Sequence, residues 1–332
     1  MRIFREPDRS AFVSPSGGTR TVREDFVDTA AIGAAPRQLH ALMTDYPNTR
    51  ALRAGQIGSD LLGLMLEEVT VVFREFPALV RGEKYDVAEL PIVTYLQAHE
   101  AGAPLVLLPY VMNGRFQHDA LVHDASLPPA RRLTVPQDLR GRRIGVRSYS
   151  QTTVTWVRGI LAEDYGIAPE EVTWVTLDDA HVAGVADPVW CRRAPAGATL
   201  QDLLLAGRID AAVIAPRFVT DDRIRPLIAD PAAAALDWHR RTGIRPMNHM
   251  LVMRRELSRD GPDLAAEVFR MLLASKHAAP VAENGIDLTP AGLANLRPSL
   301  EGIIDYAFRS GAIGRRPSVD ELFDDTTRNL SA

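Results

Sequence analysis

The sequence contains very little cysteine and lysine, and each scarcity excludes a class of protein. Cys191 is the only cysteine among 332 residues, so neither an internal disulfide nor a Cys-x-x-Cys metal site can form. Lys84 and Lys276 are the only lysines, and the formal net charge is −4, which leaves no basic surface for a nucleic acid. No stretch approaches the ~18 consecutive apolar residues of a membrane-spanning helix.

The first ten residues carry charges where a signal peptide would need an apolar run. We therefore expect a cytoplasmic protein with no membrane partner. Apolar residues make up 46% of the chain and charged residues 24%, which is typical of a globular protein. A chain of this length has room for two domains.

Short apolar runs alternate with helical patterns from Gln38 onward, which indicates an α/β fold with mainly parallel sheets. The runs predict strands at Leu39–Met43, Val69–Phe73 and Leu105–Val111. The pattern of Pro91–Glu100 predicts a helix.

A second strand–helix series, residues 135–245, lies between two further predicted strands, Ala120–His123 and Met250–Met253. This order predicts one α/β lobe inserted into another and joined to it by two crossing strands. Residues 1–38 are expected to form an N-terminal extension. Residues 39–121 and 247–332 are expected to form the first lobe, and residues 122–246 the inserted second lobe. A ligand is expected in the cleft between the lobes, where strand ends meet.

The segment 144–161 predicts an anion site. A short apolar strand is followed by a hydroxyl-rich helix start, and such a start presents free N–H groups and the positive end of the helix dipole. This is a ready site for a carboxylate or phosphate. The side chains expected there are Arg147, Tyr149, Thr152 and Thr153.

Several segments together carry a family resemblance: Gly82–Leu90, Arg115–His118, Gly145–Leu161, Gly207–Ala211, Ala215–Arg217, Thr242–His249 and Tyr306–Phe323. In order and spacing they resemble the 4,5-dihydroxyphthalate decarboxylase family, which is similar to type II periplasmic solute-binding proteins. Three departures stand out, and one of them is the unusual stretch after Val175, which runs through Asp178, Asp179 and His181 to Trp190-Cys191. Pro91 replaces a serine after Glu-Leu, and the segment that begins at Asp45-Tyr46 lacks one carboxylate of the family pattern. The resemblance implies a two-lobed fold with a cleft at the hinge.

The resemblance also implies a non-oxidative decarboxylase of a small hydroxylated aromatic carboxylate. In that reaction a ring hydroxyl is deprotonated or polarised, an acid protonates the carboxylated carbon, and CO2 leaves. The chemistry needs no organic cofactor, but it needs an acid/base pair and cationic groups that orient carboxylates. Histidine suits the first role and arginine the second.

His118 and His249 are the predicted proton-transfer residues, because each directly precedes or begins a predicted crossing strand and is expected to face the cleft. Glu89, at a strand end, is expected to orient a histidine or to accept a hydroxyl proton. A buried ring bonded to the backbone is the alternative for each histidine. For Glu89 the alternative is a carboxylate that stabilises the N-terminus of the next helix.

Three arginines are further candidates for binding a substrate carboxylate, each with an exposed structural role as the alternative: Arg50, Arg115 and Arg217. We expect no metal, because no ligand-spaced motif such as HExxH occurs. The alternative is a divalent ion held by His118, His249 and Glu89, as two imidazoles and one carboxylate form an open metal site in other proteins.

Two other functions remain open at this point. One is a cytoplasmic solute-binding or sensor protein that closes on a small carboxylate without turnover. The other is an enzyme of different chemistry on the same scaffold, because a fold does not fix a function. A homo-oligomer is compatible with the sequence, which contains no feature that tests it.

Overall fold

The computed structural model describes residues 35–280 and 285–332, which build two β-sheets surrounded by helices. The strands of this part of the chain are β1 (Arg37–Leu42), β2 (Leu62–Leu66), β3 (Val87–Pro91), β4 (Leu105–Gly114), β5 (Leu121–Asp124), β6 (Arg143–Val146), β7 (Thr173–Thr176), β8 (Cys191–Arg193), β9 (Ala211–Val213), β10 (Ile224–Pro226) and β11 (Met247–Arg254).

The first sheet has the strand order β2-β1-β3-β11-β4. β1 pairs in parallel with β2 and β3, whereas β11 runs antiparallel between β3 and β4. All five residues of β3 are buried, as expected for a central strand covered on both faces. The β3–β11 register sets His249 opposite Pro91 and Leu251 opposite Glu89, so Glu89 and His249 are diagonal neighbours on the same face.

The second sheet has the strand order β10-β5-β9-β6-β7-β8. β6 is parallel to β7 and β9, and β8 continues the parallel series beside β7. β5 is antiparallel to both of its neighbours, β9 and β10. All six strands come from the part of the chain between β4 and β11, so the second sheet is formed from a segment that interrupts the first.

The helices described are α1 (Arg50–Arg53), α2 (Phe76–Val80), α3 (Ile92–Glu100), α4 (Thr152–Tyr165), α5 (Leu200–Leu205), α6 (Pro231–Thr242), α7 (Arg255–Asp260), α8 (Pro262–His277), α9 (Leu293–Arg309) and α10 (Asp325–Arg328). α4 ends at Gly166, whose φ of 64° is the left-handed conformation that a helix C-terminus often adopts. A Cβ on Gly159 would lie 1.9 Å from the Tyr306 ring, so the glycine allows α9 to pack directly on α4. Within residues 35–280 and 285–332, none of the helices combines the length and apolar character that a bilayer crossing requires.

The predicted α/β architecture is confirmed, with two differences in detail. Val69–Phe73 is not a strand, although its β-branched residues favour one; Val72–Arg74 form a 3-10 turn, and the neighbour of β1 is Leu62–Leu66. The strand propensity of a segment is a weak signal, because pairing in the folded protein decides which segment lies beside β1. The two predicted crossing strands do not cross: β5 belongs wholly to the second sheet and β11 to the first. Residues 115–120 and 243–246 are the connections between the sheets.

Most of the predicted N-terminal extension, residues 1–34, lies outside the described residues. Residues 37 and 38, which the prediction assigned to that extension, already belong to β1. Residues 36–332 form one compact unit by their contacts. The predicted lobe boundaries therefore stay a prediction.

Candidate functional site

Glu89 is a buried carboxylate with three hydrogen-bond donors. It is the middle residue of β3 and is 0% exposed. The Thr44 N–H donates to Oε1 at 2.5 Å, and the Tyr46 hydroxyl donates to Oε2 at 2.9 Å. Both donors follow the end of β1, the strand next to β3. Because the carboxyl ends of parallel strands share one edge of a sheet, β1 and β3 bring these groups together.

His249 completes the arrangement from β11. Its Nδ1 lies 2.6 Å from Oε2 of Glu89. Burial raises the pKa of Glu89, but the hydrogen bond and the charge of His249, with the bonds from Thr44, outweigh it and hold the pKa below its usual value. An ionised carboxylate accepts a hydrogen bond from the Nδ1–H of the imidazole. In an uncharged ring, Nε2 then carries a lone pair and no proton. Nε2 has no hydrogen-bond partner among the described residues.

Arg147 approaches from the other sheet, as the first residue after β6. Its guanidinium lies over the Phe73 ring, 4.3 Å from the centroid. Its Nε is buried without a hydrogen-bond partner among the described residues. Burial lowers the pKa of Arg147, and the charge of Asp178 partly offsets this. A buried guanidinium Nε without a hydrogen-bond acceptor is costly unless a ligand supplies one.

The residues after Arg147 add further unbonded polar groups. Ser148 and Ser150 are 1% and 3% exposed, and neither hydroxyl has a partner in the part of the chain that the structure describes. They lead into α4, whose N-terminus has no side-chain cap. Free N–H groups, two hydroxyls and a guanidinium are the donors that a carboxylate accepts.

The two halves of the molecule touch at this place. The Val93 N–H, in the first turn of α3, donates to Oγ1 of Thr152 at the start of α4, over 3.3 Å. Thr94 Oγ1 lies 3.0 Å from Nδ1 of His181. Phe76 packs by its edge against two rings, His181 at 5.4 Å and His249 at 5.6 Å between centroids. The N-termini of α3 and α4 therefore converge on the site that holds Glu89 and His249.

Of the four residues predicted for the anion site, only some are placed to serve it. Arg147 is placed to serve it, because its buried Nε is bonded to no described residue. Thr152 is 3% exposed and accepts from α3, and Thr153 is 8% exposed in the same turn. Tyr149 points elsewhere: its hydroxyl donates to the Ser310 carbonyl at 2.6 Å and accepts from Trp190. Tyr149 is a core residue in this structure.

The other three predicted arginines have partners of their own. Arg50 pairs with Asp45 at 3.2 Å on the surface. Arg115 pairs with Asp119 at 2.8 Å. Arg217 is exposed, and its guanidinium lies 4.6 Å from the Phe218 ring centroid. None of these contacts directs the guanidinium toward Glu89 and His249, so the alternative interpretation, a structural role, fits all three better.

His118 is placed apart from the Glu89–His249 pair. It lies in a 3-10 turn before β5, is 1% exposed and packs edge-on against Trp238 at 5.7 Å between ring centroids. Neither ring nitrogen has a hydrogen-bond partner among the described residues. The neighbouring residues do meet, since Gln117 Nε2 donates to Asn248 Oδ1 at 2.7 Å. Asn248 and His249 are successive residues of β11 and point to opposite faces of that strand, so Gln117 contacts the face that His249 does not occupy.

We predict that His118 makes stability fall in weak acid. Burial lowers its pKa to about 4, whereas an unfolded histidine titrates near 6.5. Between these values the unfolded chain binds a proton that the folded chain does not, so stability is complete above pH 6.5 and falls toward pH 4, by roughly 3 kcal/mol at most. Denaturant unfolding at pH 7 and pH 5 measures the difference, which is expected to shrink in His118→Leu. An unchanged pH difference in that variant, with exposed His277→Leu as the control, would contradict the assignment.

The residues described contain no group of three His, Cys, Asp or Glu side chains that could share a metal ion. In particular, the predicted alternative of His118, His249 and Glu89 around one ion does not fit, because His118 packs on Trp238 and the Nδ1 of His249 faces Glu89.

Sequence reasoning missed several residues of the site: Thr44, Tyr46, Phe76, Thr94 and His181. One signal existed for Tyr46, since it follows the predicted first strand, at whose end ligands bind in α/β folds. His181 has no such signal, because it lies in an irregular segment between β7 and β8.

The comparisons with known proteins agree on a family. No family model matches the sequence. A 4,5-dihydroxyphthalate decarboxylase from Comamonas testosteroni is 30% identical over 258 residues, which cover 73% of this chain and 76% of the relative. A protein of the same name from Pseudomonas putida is 31% identical over 215 residues, 59% of this chain and 79% of that protein.

Solved structures with the same fold are solute-binding proteins. The alkanesulfonate-binding protein SsuA from Xanthomonas axonopodis pv. citri, bound to MOPS, matches with a TM-score of 0.57 at 16% identity, over 88% of this chain and 99% of that one. The periplasmic aliphatic sulphonate binding protein SsuA from Escherichia coli matches with a TM-score of 0.55 at 13% identity, over 89% and 99%. These matches confirm the predicted two-lobed, periplasmic-binding-protein-like fold. With the sequence relatives, they lead to one conclusion: the chain belongs to the 4,5-dihydroxyphthalate decarboxylase family of carboxy-lyases.

Proposed function

We propose that this protein decarboxylates a small hydroxylated aromatic carboxylate, such as 4,5-dihydroxyphthalate, without oxidation. One observation carries the proposal. A buried, ionised Glu89 holds the imidazole of His249 at the place where the other half of the molecule presents Arg147, whose Nε is bonded to none of the described residues. Proton transfer and carboxylate binding thus have separate residues at one site. The names of the two sequence relatives support the same reaction.

The substrate carboxylates would bind on the side of α4. Arg147 offers a guanidinium without a carboxylate partner, and Ser148 and Ser150 offer buried hydroxyls that bond to no described residue. The uncapped N-terminus of α4 adds N–H groups and its dipole. A bound carboxylate would satisfy these groups together, which explains why they are left without partners inside the fold.

The chemistry then needs one proton and one electron-rich ring. In 4,5-dihydroxyphthalate each hydroxyl is para to a carboxylate, so its oxygen can push electron density onto the carboxylated carbon. A proton adds to that carbon, the bond to the carboxylate breaks, its electron pair returns to the ring and CO2 leaves. One proton is consumed for each CO2 released, with no oxidant and no reductant.

His249 is the residue that we assign to this proton. The bond from Nδ1 to Glu89 fixes the orientation of the His249 ring, so Nε2 is the atom that would deliver a proton to the ring carbon and recover one afterwards. Glu89 is a positioning residue, fixed in turn by Thr44 and Tyr46. Burial, together with the negative charge of Glu89, raises the pKa of Tyr46, which keeps its hydroxyl protonated as a donor to that carboxylate.

Several sequence predictions remain proposals beside this one. They are the absence of an organic cofactor, a cytoplasmic location and a homo-oligomeric state. A small-molecule ligand is consistent with the binding proteins that share the fold.

A binding protein without turnover is the second candidate, favoured by the same neighbours. A binder has no need of a histidine held by a buried carboxylate, because burying the ionised carboxylate costs free energy that binding alone does not repay. The two candidates differ in a direct assay.

The test is to incubate the purified protein with 4,5-dihydroxyphthalate and to follow CO2 and the ring product by chromatography. Phthalate, which lacks the hydroxyls, is the matched control. We expect CO2 and a dihydroxybenzoate in equal amounts from the first compound and none from the second. A clear thermal shift with 4,5-dihydroxyphthalate and no CO2 would contradict decarboxylation of this acid and favour the binder.

A further inference from the structure

His181 belongs to a segment that is tied to the carboxylate-binding residues. It follows β7 of the second sheet. At the start of that segment, the N–H groups of Leu177 and Asp178 both donate to the Arg147 carbonyl, at 2.9 and 2.6 Å. The position of the His181 segment is therefore set by the same residue whose side chain we assign to the substrate carboxylate.

The His181 ring is held against the first half of the molecule. Its Nδ1 lies 3.0 Å from the hydroxyl of Thr94, in the first turn of α3. Its face meets Phe76 at an interplanar angle of 72°, and Phe76 contacts His249 at 86°. Two imidazoles thus pack on one aromatic ring, His249 fixed by a carboxylate and His181 by a neutral hydroxyl.

The surroundings keep His181 uncharged at neutral pH. Burial, with smaller contributions from the charges of Arg147 and His249, lowers its pKa to about 4. An uncharged imidazole carries one N–H and one lone pair. If the Thr94 hydroxyl donates to Nδ1, the proton is on Nε2, which has no hydrogen-bond partner among the described residues.

We propose that His181 donates its Nε2–H to the ring oxygen of the substrate, and that this bond makes the site selective for a hydroxylated ring. The proposal rests on the proposed function for its substrate class. A donor at this oxygen distinguishes the hydroxylated ring from phthalate, because phthalate has no oxygen at that position and leaves the N–H without a partner. An uncharged imidazole is suited to this role, since it donates a hydrogen bond without transferring its proton.

Binding measurements test the proposal without any need for turnover. Calorimetry gives the affinities of 4,5-dihydroxyphthalate and phthalate for the wild type, His181→Ala and His181→Gln. We expect His181→Ala to weaken binding of the dihydroxy compound about 10-fold and to leave phthalate within twofold. Glutamine, which keeps a neutral N–H donor, is expected to recover most of the difference. Unchanged phthalate binding also shows that the variants fold.

Three results would overturn the inference. The first is an equal loss of affinity for both ligands in His181→Ala. The second is an undiminished preference of that variant for the dihydroxy compound. The third is a His181→Gln variant that binds the dihydroxy compound no more tightly than His181→Ala does. A wild type that binds with the expected preference and releases no CO2 would instead refute the proposed function and leave this inference standing. Where CO2 is released, His181→Ala is expected to raise the KM for 4,5-dihydroxyphthalate about 10-fold and to leave kcat within a few-fold, because the bond is already made in the bound substrate.

Discussion

Replacing His249 by glutamine is expected to lower kcat for CO2 release by about 100- to 10,000-fold, the usual contribution of a positioned acid or base. Glutamine keeps a polar side chain beside Glu89, so the buried carboxylate retains a donor. The affinity for 4,5-dihydroxyphthalate should stay within a few-fold, because Arg147 and the α4 N-terminus hold the carboxylates. Steady-state kinetics and calorimetry on the same preparation measure both quantities.

The matched control for this variant is His40→Gln, which changes an exposed histidine of β1. It is expected to behave as the wild type. A His249→Gln enzyme with a kcat within threefold of the wild type would remove His249 from the chemistry. A variant that loses affinity and kcat together would make it a binding residue instead.

Replacing Arg147 by alanine is expected to weaken binding of 4,5-dihydroxyphthalate by about 10- to 150-fold, which corresponds to one or two hydrogen bonds to a charged group. The loss should appear in KM and in the measured affinity for phthalate, since both compounds carry the same carboxylates. Stability should change little or rise, because the half-buried guanidinium makes no ion pair with a described carboxylate that the substitution would break.

Arg217→Ala is the control for the loss of one arginine, as that side chain is exposed on the second half of the molecule. The affinity of Arg217→Ala for 4,5-dihydroxyphthalate and for phthalate should equal that of the wild type. Equal affinities in Arg147→Ala and Arg217→Ala would show that the carboxylates bind elsewhere.

The α/β architecture could be predicted because several of its buried strands are continuous apolar runs. Residues 105–111 contain seven consecutive residues without a charge, and the structure buries every one of them in β4. Strands covered on both faces need no alternation of polar and apolar residues, so such runs are a strong signal. The short strand before Arg147 was recognisable for the same reason, and with it the anion-binding character of the following turn.

The contact between Glu89 and His249 could not be predicted, although each residue could be named alone. They are 160 residues apart in sequence. Their bond depends on β11 inserting antiparallel between β3 and β4 in one register. A shift of that register by one residue would turn His249 to the opposite face, and no local pattern around residue 249 specifies it.

The direction of a side chain could not be predicted either, even where its segment was recognised. Tyr149 lies in the predicted anion-binding turn, but its ring is drawn inward by the buried Arg158 guanidinium, 3.8 Å from its centroid. His118 precedes the predicted strand as expected, but the packing of α6 supplies Trp238 as its neighbour. His181 enters the site only because its irregular segment folds against α3. Such side-chain directions follow from tertiary packing, not from spacing.

The most direct test follows the fate of one carbon atom. Substrate labelled with ¹³C in its carboxylates is added in one equivalent to the wild type and to His249→Gln, and the label is followed by NMR. The account predicts that the wild type releases one of the two labelled carbons as ¹³CO2 and bicarbonate and keeps the other on the ring product, whereas the variant keeps both on the bound ring. Label retained on the bound ring by both proteins would mean that the protein binds this acid without decarboxylating it. Release at equal rates would mean that the Glu89–His249 pair does not carry the reaction.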